Sequence, residues 1–397
     1  MDLEAIKNLT NNYIASTYTR QDVSFVKGEG CRLWDSQGRE YLDFLSGIGV
    51  NNIGHSHPKL IKAIQEQAEK LIHVSNLYYI APQAELAKVL IEESFPGKIF
   101  FANSGAEANE AAIKLARRFG KLKKNGKFKI MSADNSFHGR TLATLAATGQ
   151  KKYQMGFEPL PPGFTYVPYN DIEAMKSALD DEVCAIIVEP IQGEGGVIVP
   201  DPGYLPALRK LCDDNNILLI FDEVQTGIGR TGKLFNYQYY PIIPDIMTMA
   251  KSLGGGIPMG AMIATDRVAE VFSKGTHAST FGGNYIASNA ALAVIKIIKE
   301  EGLLENARNM GSFFMEKLCA LIPKYSFIKE VRGMGLMVGM ELSIDCHAIV
   351  QECFLRGVII NCAAERVLRF LPPLIVTKAE ISKVVDILEA VFAEKER

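Results

Sequence analysis

Between residues 59 and 72, Leu60, Ile61, Ile64, Ala68, Leu71 and Ile72 recur at helical spacing, which predicts a helix with one apolar face. Elsewhere the apolar positions run together instead. Segments 99–101, 128–131, 185–188, 217–221 and 246–249 are short apolar runs of strand length. Several lack any polar alternation, as expected for strands covered on both faces of a mainly parallel sheet. Strands alternating with longer helical stretches predict an α/β fold. After about Ala290 the texture changes, with a helical stretch over 292–298. A closing amphipathic pattern then runs through Ile381, Val384, Val385, Leu388, Val391 and Phe392. This predicts a large lobe over 55–290 and a smaller one drawn from 1–54 and 291–397. Segment 158–168 is dense in proline and reads as an ordered surface loop.

Length and composition narrow the class. At roughly 150 residues per domain, 397 residues make two to three units or one two-lobed subunit. The 43 Lys and Arg against 45 Asp and Glu leave a net charge of −2, which argues against a polyanion partner. Seven cysteines, scattered and without a C-x-x-C pair, argue against a disulfide scaffold or a zinc site and for a reducing compartment. No apolar run approaches the roughly 18 residues of a membrane span. The start, Met1-Asp2-Leu3-Glu4, is acidic where signal peptides are basic. The expectation is a soluble, cytoplasmic enzyme of small molecules, with no nucleic-acid, membrane or metal partner.

Ligands of such sheets collect at the carboxyl ends of the strands, and there the chemistry lies. The run 99–101 leads to Ser104, with Glu107 three residues on: a capping box at a helix start. Gly105 lets the free amides of that start approach an anion such as a phosphate. The run 217–221 delivers Asp222, whose carboxylate needs a cation or donors there. A metal, a general-base role or a protonated heterocyclic nitrogen would each serve, a metal least, since no histidine cluster lies near. The run 246–249 delivers Lys251, where desolvation makes a neutral amine available as nucleophile. Glycines 254–256 follow it and would admit a planar group. An anion site, a carboxylate and an amine together meet the needs of pyridoxal phosphate. Phe137 is a candidate to cover its ring.

The motifs Asn103-Ser104-Gly105-Ala106-Glu107-Ala108-Asn109-Glu110, Phe137-His138-Gly139-Arg140-Thr141, Glu189-Pro190-Ile191-Gln192-Gly193-Glu194, Asp222-Glu223-Val224-Gln225 and Lys251-Ser252-Leu253-Gly254 follow in order along the chain. His277-Ala278-Ser279-Thr280-Phe281-Gly282 and Arg369-Phe370-Leu371-Pro372 complete the set. Together they resemble the class III aminotransferases of fold type I, over nearly the whole chain. The resemblance implies a large domain with a mainly parallel seven-stranded sheet between helices, and a smaller α+β domain. It implies pyridoxal 5′-phosphate as cofactor, bonded to Lys251 and paired with Asp222 through its ring nitrogen. Ser104, Gly105 and Ala106 would hold the phosphate, Phe137 and Val224 the ring faces, Gln225 the phenolic oxygen, with His138 beside them. Thr280 would reach the phosphate of a neighbouring subunit in a homodimer with shared sites.

Arg140 would bind a substrate carboxylate as a bidentate fork, and Arg369 the α-carboxylate of glutamate or 2-oxoglutarate. Glu194 would act as a gate on Arg369. Ile48, Asn76 and Ser279 would line the substrate side. Segments 46–52 and 75–79 resemble the acetylornithine-type members, which implies N-acetylornithine as amino donor in arginine biosynthesis. Ornithine-type members usually carry tyrosine where Ile48 stands. Succinylornithine, ornithine and 4-aminobutyrate remain alternative donors, and a catalytically silent binding protein the alternative of another class. His55 and His57 are read as parts of a structural turn, Trp34 as packing, and Cys346, Cys353 and Cys362 as thiols without a role.

Overall fold

The computed structural model describes residues 1–395; the last two residues of the expected small lobe, 396–397, lie outside them. After an opening helix, Leu3–Tyr13, come β1 (Phe25–Glu29), β2 (Arg32–Asp35) and β3 (Glu40–Asp43). A central set follows: β4 (Lys98–Ala102), β5 (Lys129–Ala133), β6 (Phe164–Val167), β7 (Val183–Val188), β8 (Leu218–Asp222), β9 (Ile246–Met249) and β10 (Gly260–Ala264). It ends with β11 (Ile328–Met334), β12 (Met337–Leu342), β13 (Val358–Ile359), β14 (Asn361–Ala363) and β15 (Val367–Phe370).

The seven central strands form one sheet in the order β4-β10-β9-β8-β7-β5-β6. It is parallel from β6 to β9, and β10 alone runs antiparallel to its two neighbours. Every residue of β7 and β8 is buried, which explains their unbroken apolar runs. The helix Gly105–Lys123 lays Ala111, Ala112, Leu115, Ala116 and Phe119 against Ile130, Ile187 and Ile220 of the sheet. Its small side chains let helix and sheet approach closely.

Two smaller sheets join sequence-distant segments. In the first, β13 pairs in parallel with β3 and so ties the two ends of the chain together. The second, in the order β11-β12-β15-β14, is antiparallel and presents Arg369 on β15. The final helix, Lys378–Lys395, buries the six apolar positions that its pattern marked. Arg230, fully buried, ties the loop after β8 to segments near both chain ends: its guanidinium donates to the carbonyls of Leu336 (3.0 Å) and Pro372 (2.5 Å) and to Asn52. Burial pushes its pKa down to about 9, against the pull of Asp43.

Several expectations need correction. Strand β6 lies inside the proline-dense segment expected to be loop, and β10 was not foreseen. The first helix pattern ends at Ala68, and Leu71 and Ile72 beyond it are exposed. Position 290 falls inside the helix Tyr285–Glu300. Cys346 and Cys362 are disulfide-bonded, because β14 returns beside the start of helix His347–Leu355 and brings their Cα atoms to 5.7 Å. Sequence spacing could not show that return. His55 pairs with Asp43 (2.7 Å) and His57 with Glu301 (3.3 Å). Among the described residues no helix is long and apolar enough to cross a membrane, and no group of three or more His, Cys, Asp or Glu is placed to hold a metal.

Candidate active site

The carboxyl ends of β5, β7, β8 and β9 open onto a cavity of about 470 Å³. Ser104, Gly105, Ala106, Phe137, His138, Arg140, Asp222, Val224, Gln225 and Lys251 all line it. Segments far apart in sequence thus meet where the strand-end argument placed them.

Ser104 caps the helix Gly105–Lys123: its hydroxyl accepts from Glu107 N (3.2 Å) while Glu107 accepts from Asn103 N (2.6 Å). The expected capping box is half made, since Glu107 reaches back to Asn103 N rather than to Ser104 N; the two bonds still pin the first helical turn at the cavity wall, where its positive dipole end suits an anion. Gly105 is there because nothing larger fits. A Cβ at that position would lie 2.8 Å from Val224 Cγ1.

Asp222, 3% exposed, is held by three donors. Val224 N–H reaches its Oδ1 (3.0 Å), and Asn109 Nδ2 and His138 Nδ1 reach its Oδ2 (2.7 Å each). Asn109 is itself fixed: its Oδ1 accepts from Thr248 (2.7 Å), and its amide also donates to His138 O (2.8 Å). Such a donor set fixes the orientation of the carboxylate at the cavity wall. A cationic ring nitrogen is a partner that this carboxylate fits.

Lys251 begins a tight 3-10 turn, Lys251–Gly254, at φ 43°. Burial lowers its pKa; Glu194 pulls the other way, and Arg369 adds to the lowering. Glu194 stands in the turn after β7 and pairs with Arg369 Nη1 at 2.6 Å. Burial works against the Glu194 charge, but Arg369 and Lys251 outweigh it and hold its pKa below the usual range. Arg369 is 1% exposed. Its Nε donates to Asn361 on the paired strand (3.1 Å) and its Nη1 to Gln225 (3.4 Å). Arg140 is exposed, and its guanidinium lies 4.0 Å from the Tyr153 ring centroid and 5.5 Å from that of Phe137.

Six expected site residues do not line the cavity within one chain: Glu194 and Arg369, which pair with each other and touch it through Gln225, and Ile48, Asn76, Ser279 and Thr280. Ile48 and Thr280 are exposed. Asn76 donates to the carbonyls of Ser279 and Gly282 (3.0 Å each), and Ser279 accepts from Gly282 N (3.0 Å), so both brace a loop. Conversely, Asn109, Glu189, Asn361 and Tyr153 were not singled out from sequence. Glu189 lines the cavity and accepts from Phe137 N and Gly193 N (3.1 Å each). Burial pushes its pKa up to about 7, opposed by His138 and helped by Asp222. Its place at the end of an apolar strand and its position at the head of the 189–194 motif were the signals available.

The aminotransferase class-III family model matches residues 13–392. An acetylornithine aminotransferase of Caldanaerobacter subterraneus is 56% identical over 384 residues, which are 96% of this chain and 98% of that one. Another, of Methanocaldococcus jannaschii, is 53% identical over 388 residues, 98% of each. Among solved structures, the ornithine aminotransferase of Toxoplasma gondii superposes with a TM-score of 0.96 at 35% identity, covering 100% of this chain and 97% of that one. An acetylornithine aminotransferase from Elizabethkingia anophelis gives 0.88 at 34% identity, covering 99% and 100%. With its lysine, carboxylate and anion cradle in one cavity, the chain belongs to the class III aminotransferases, the pyridoxal-phosphate-dependent transaminases of fold type I.

Proposed function

We propose that the protein moves the δ-amino group of N2-acetylornithine to 2-oxoglutarate, giving N-acetylglutamate 5-semialdehyde and glutamate, a step of arginine biosynthesis. Near-full-length identity to relatives of that name carries the donor assignment. Ile48, where a free ornithine would gain from a tyrosine hydroxyl, supports it.

Bound pyridoxal phosphate supplies an aldehyde and an electron-accepting ring. In this reading Ser104, Gly105 and Ala106 hold the phosphate, and Phe137 and Val224 flank the ring. Asp222, fixed by Asn109 and His138, keeps a proton on the ring nitrogen, and Gln225 faces the phenolic oxygen. Lys251 would hold the aldehyde, and its free Nζ would take the proton from the donor's Cδ. Its depressed pKa leaves it neutral often enough to do so. Arg140 grips the donor's α-carboxylate. The Glu194–Arg369 pair neutralises the second cation while an amine-tipped donor is bound. When 2-oxoglutarate enters, Glu194 releases Arg369 to its α-carboxylate and Arg140 takes the distal one. We further propose a homodimer, in which Thr280 of each chain completes the other's phosphate site.

The test is kcat/KM with 2-oxoglutarate across N-acetylornithine, N-succinylornithine, ornithine and 4-aminobutyrate, using wild type and Lys251→Ala. N-acetylornithine should lead at least tenfold, and Lys251→Ala should lose turnover. A lead for any other donor ends the donor assignment. A wild type without half-reaction turnover would favour the silent binding protein.

A further inference from the structure

Arg140 takes part in no ion pair and no side-chain hydrogen bond among the described residues, and its side chain is exposed. An exposed arginine left to itself samples many rotamers, and fixing it on substrate costs conformational entropy. Here its guanidinium rests 4.0 Å from the centroid of the Tyr153 ring, well inside the roughly 6 Å range of cation–π attraction. Tyr153 in turn meets Phe137 edge-on, with centroids 6.0 Å apart and planes at 86°.

The ring is carried on a short helical turn, Lys151–Gln154, clamped from both sides. Before it, Gln150 donates to the carbonyls of Asn135 (3.2 Å) and Ser136 (3.0 Å), just ahead of Phe137. At its end, Gln154 donates to Thr148 O (2.8 Å) and to the hydroxyl of Tyr166 on β6 (2.8 Å). The turn therefore moves with the Phe137–Arg140 loop rather than independently of it.

We propose that Tyr153 is the residue that sets selectivity for a carboxylate remote from the reacting carbon, acting through Arg140 as a positioning residue. Its ring backs the guanidinium and leaves the N–H edge free for a bidentate carboxylate. The ring does this work, and the hydroxyl is not needed. The inference rests on the assignment of Arg140 made above. It predicts an effect confined to substrates that carry the remote carboxylate.

The experiment uses holoenzyme and single-turnover half-reactions followed by the cofactor's absorbance. N-acetylornithine is compared with N-acetylputrescine, the same molecule without its carboxylate, and glutamate with 2-aminobutyrate. In Tyr153→Leu, N-acetylornithine and glutamate should each lose about tenfold in kcat/KM, mostly through KM. N-acetylputrescine and 2-aminobutyrate should change less than twofold, and Tyr153→Phe should match wild type on all four. Equal loss on both members of a pair, or no loss on the carboxylate-bearing member, overturns the proposal. Arg140→Ala separates the two layers. If it leaves the glutamate to 2-aminobutyrate ratio unchanged, the Arg140 assignment itself falls. If it collapses that ratio while Tyr153→Leu does not, only the role of Tyr153 falls. Failure of N-acetylornithine as a donor strikes the donor assignment alone, since the glutamate pair still decides the question.

Discussion

Lys251 is held unfavourably in two respects. Its backbone sits at φ 43°, a region that costs a non-glycine residue on the order of 1 kcal/mol or more, and its amine is desolvated. Both are tolerable because the surrounding turn fixes the residue. Desolvation penalises the ammonium form, so the neutral amine appears at lower pH than for a free lysine. The rate at which apoprotein takes up pyridoxal phosphate should therefore rise with pH, since only the neutral amine attacks the aldehyde. Its midpoint should fall below the roughly 10.4 of an ordinary lysine. Absorbance-monitored reloading across pH measures it, and a midpoint at the ordinary value would remove desolvation from the account. Lys251 and Asp222 were legible because each follows a mostly apolar run of strand length. Asn109 was not: its value lies in touching Asp222, 113 residues away, and Thr248, 139 away. Asn361 escaped for a related reason, since only the β14–β15 register sets it beside Arg369.

At the scale of elements, the strand-to-helix joint after β4 shows how a motif becomes a binding surface. The Ser104 cap was readable from sequence, but the Glu107 half of the expected box goes to Asn103 N instead, and the reason for Gly105 needed Val224 from the far side of the cavity. Gly105→Ala would suit the helix, where alanine is favoured by about 1 kcal/mol over glycine in an interior position. Yet its Cβ would stand 2.8 Å from Val224 Cγ1, so Val224 must shift into the space assigned to the cofactor ring. The variant should keep its circular dichroism and bind pyridoxal phosphate about tenfold more weakly, a moderate overpacking effect. Unchanged affinity in a cofactor titration would show that Val224 yields without touching the ring. The same dependence on partners explains which strands were legible. β7 and β8, buried throughout, announce themselves. β6 is masked by the prolines before it, and β10, Gly-Ala-Met-Ile-Ala, is too small in its side chains to stand out.

For the whole molecule, the exposed apolar surface carries the argument. Leu77, Tyr78 and Tyr79 are 86%, 69% and 104% exposed, and Phe281 is 58% exposed. They sit on two segments that Asn76 and Gln83 stitch together through the carbonyls of Ser279, Gly282 and Gly283. In the homodimer proposed above, this braced loop with its apolar side chains turned outward would be covered by the second chain. Thr280 lies in the same loop, exposed and away from its own chain's cavity. A net charge of −2 held no trace of this arrangement; it emerges only when the two segments are seen side by side. Sedimentation should find a two-fold homodimer. The double variant Leu77→Asp/Tyr79→Asp should sediment as a monomer and lose at least tenfold in both cofactor affinity and turnover, although no residue of its own cavity has changed. Thr280→Ala should stay dimeric and bind the cofactor several-fold more weakly. A monomer with full activity would refute the shared site, and a dimeric Thr280→Ala with unchanged cofactor affinity would leave the dimer standing while taking Thr280 out of it.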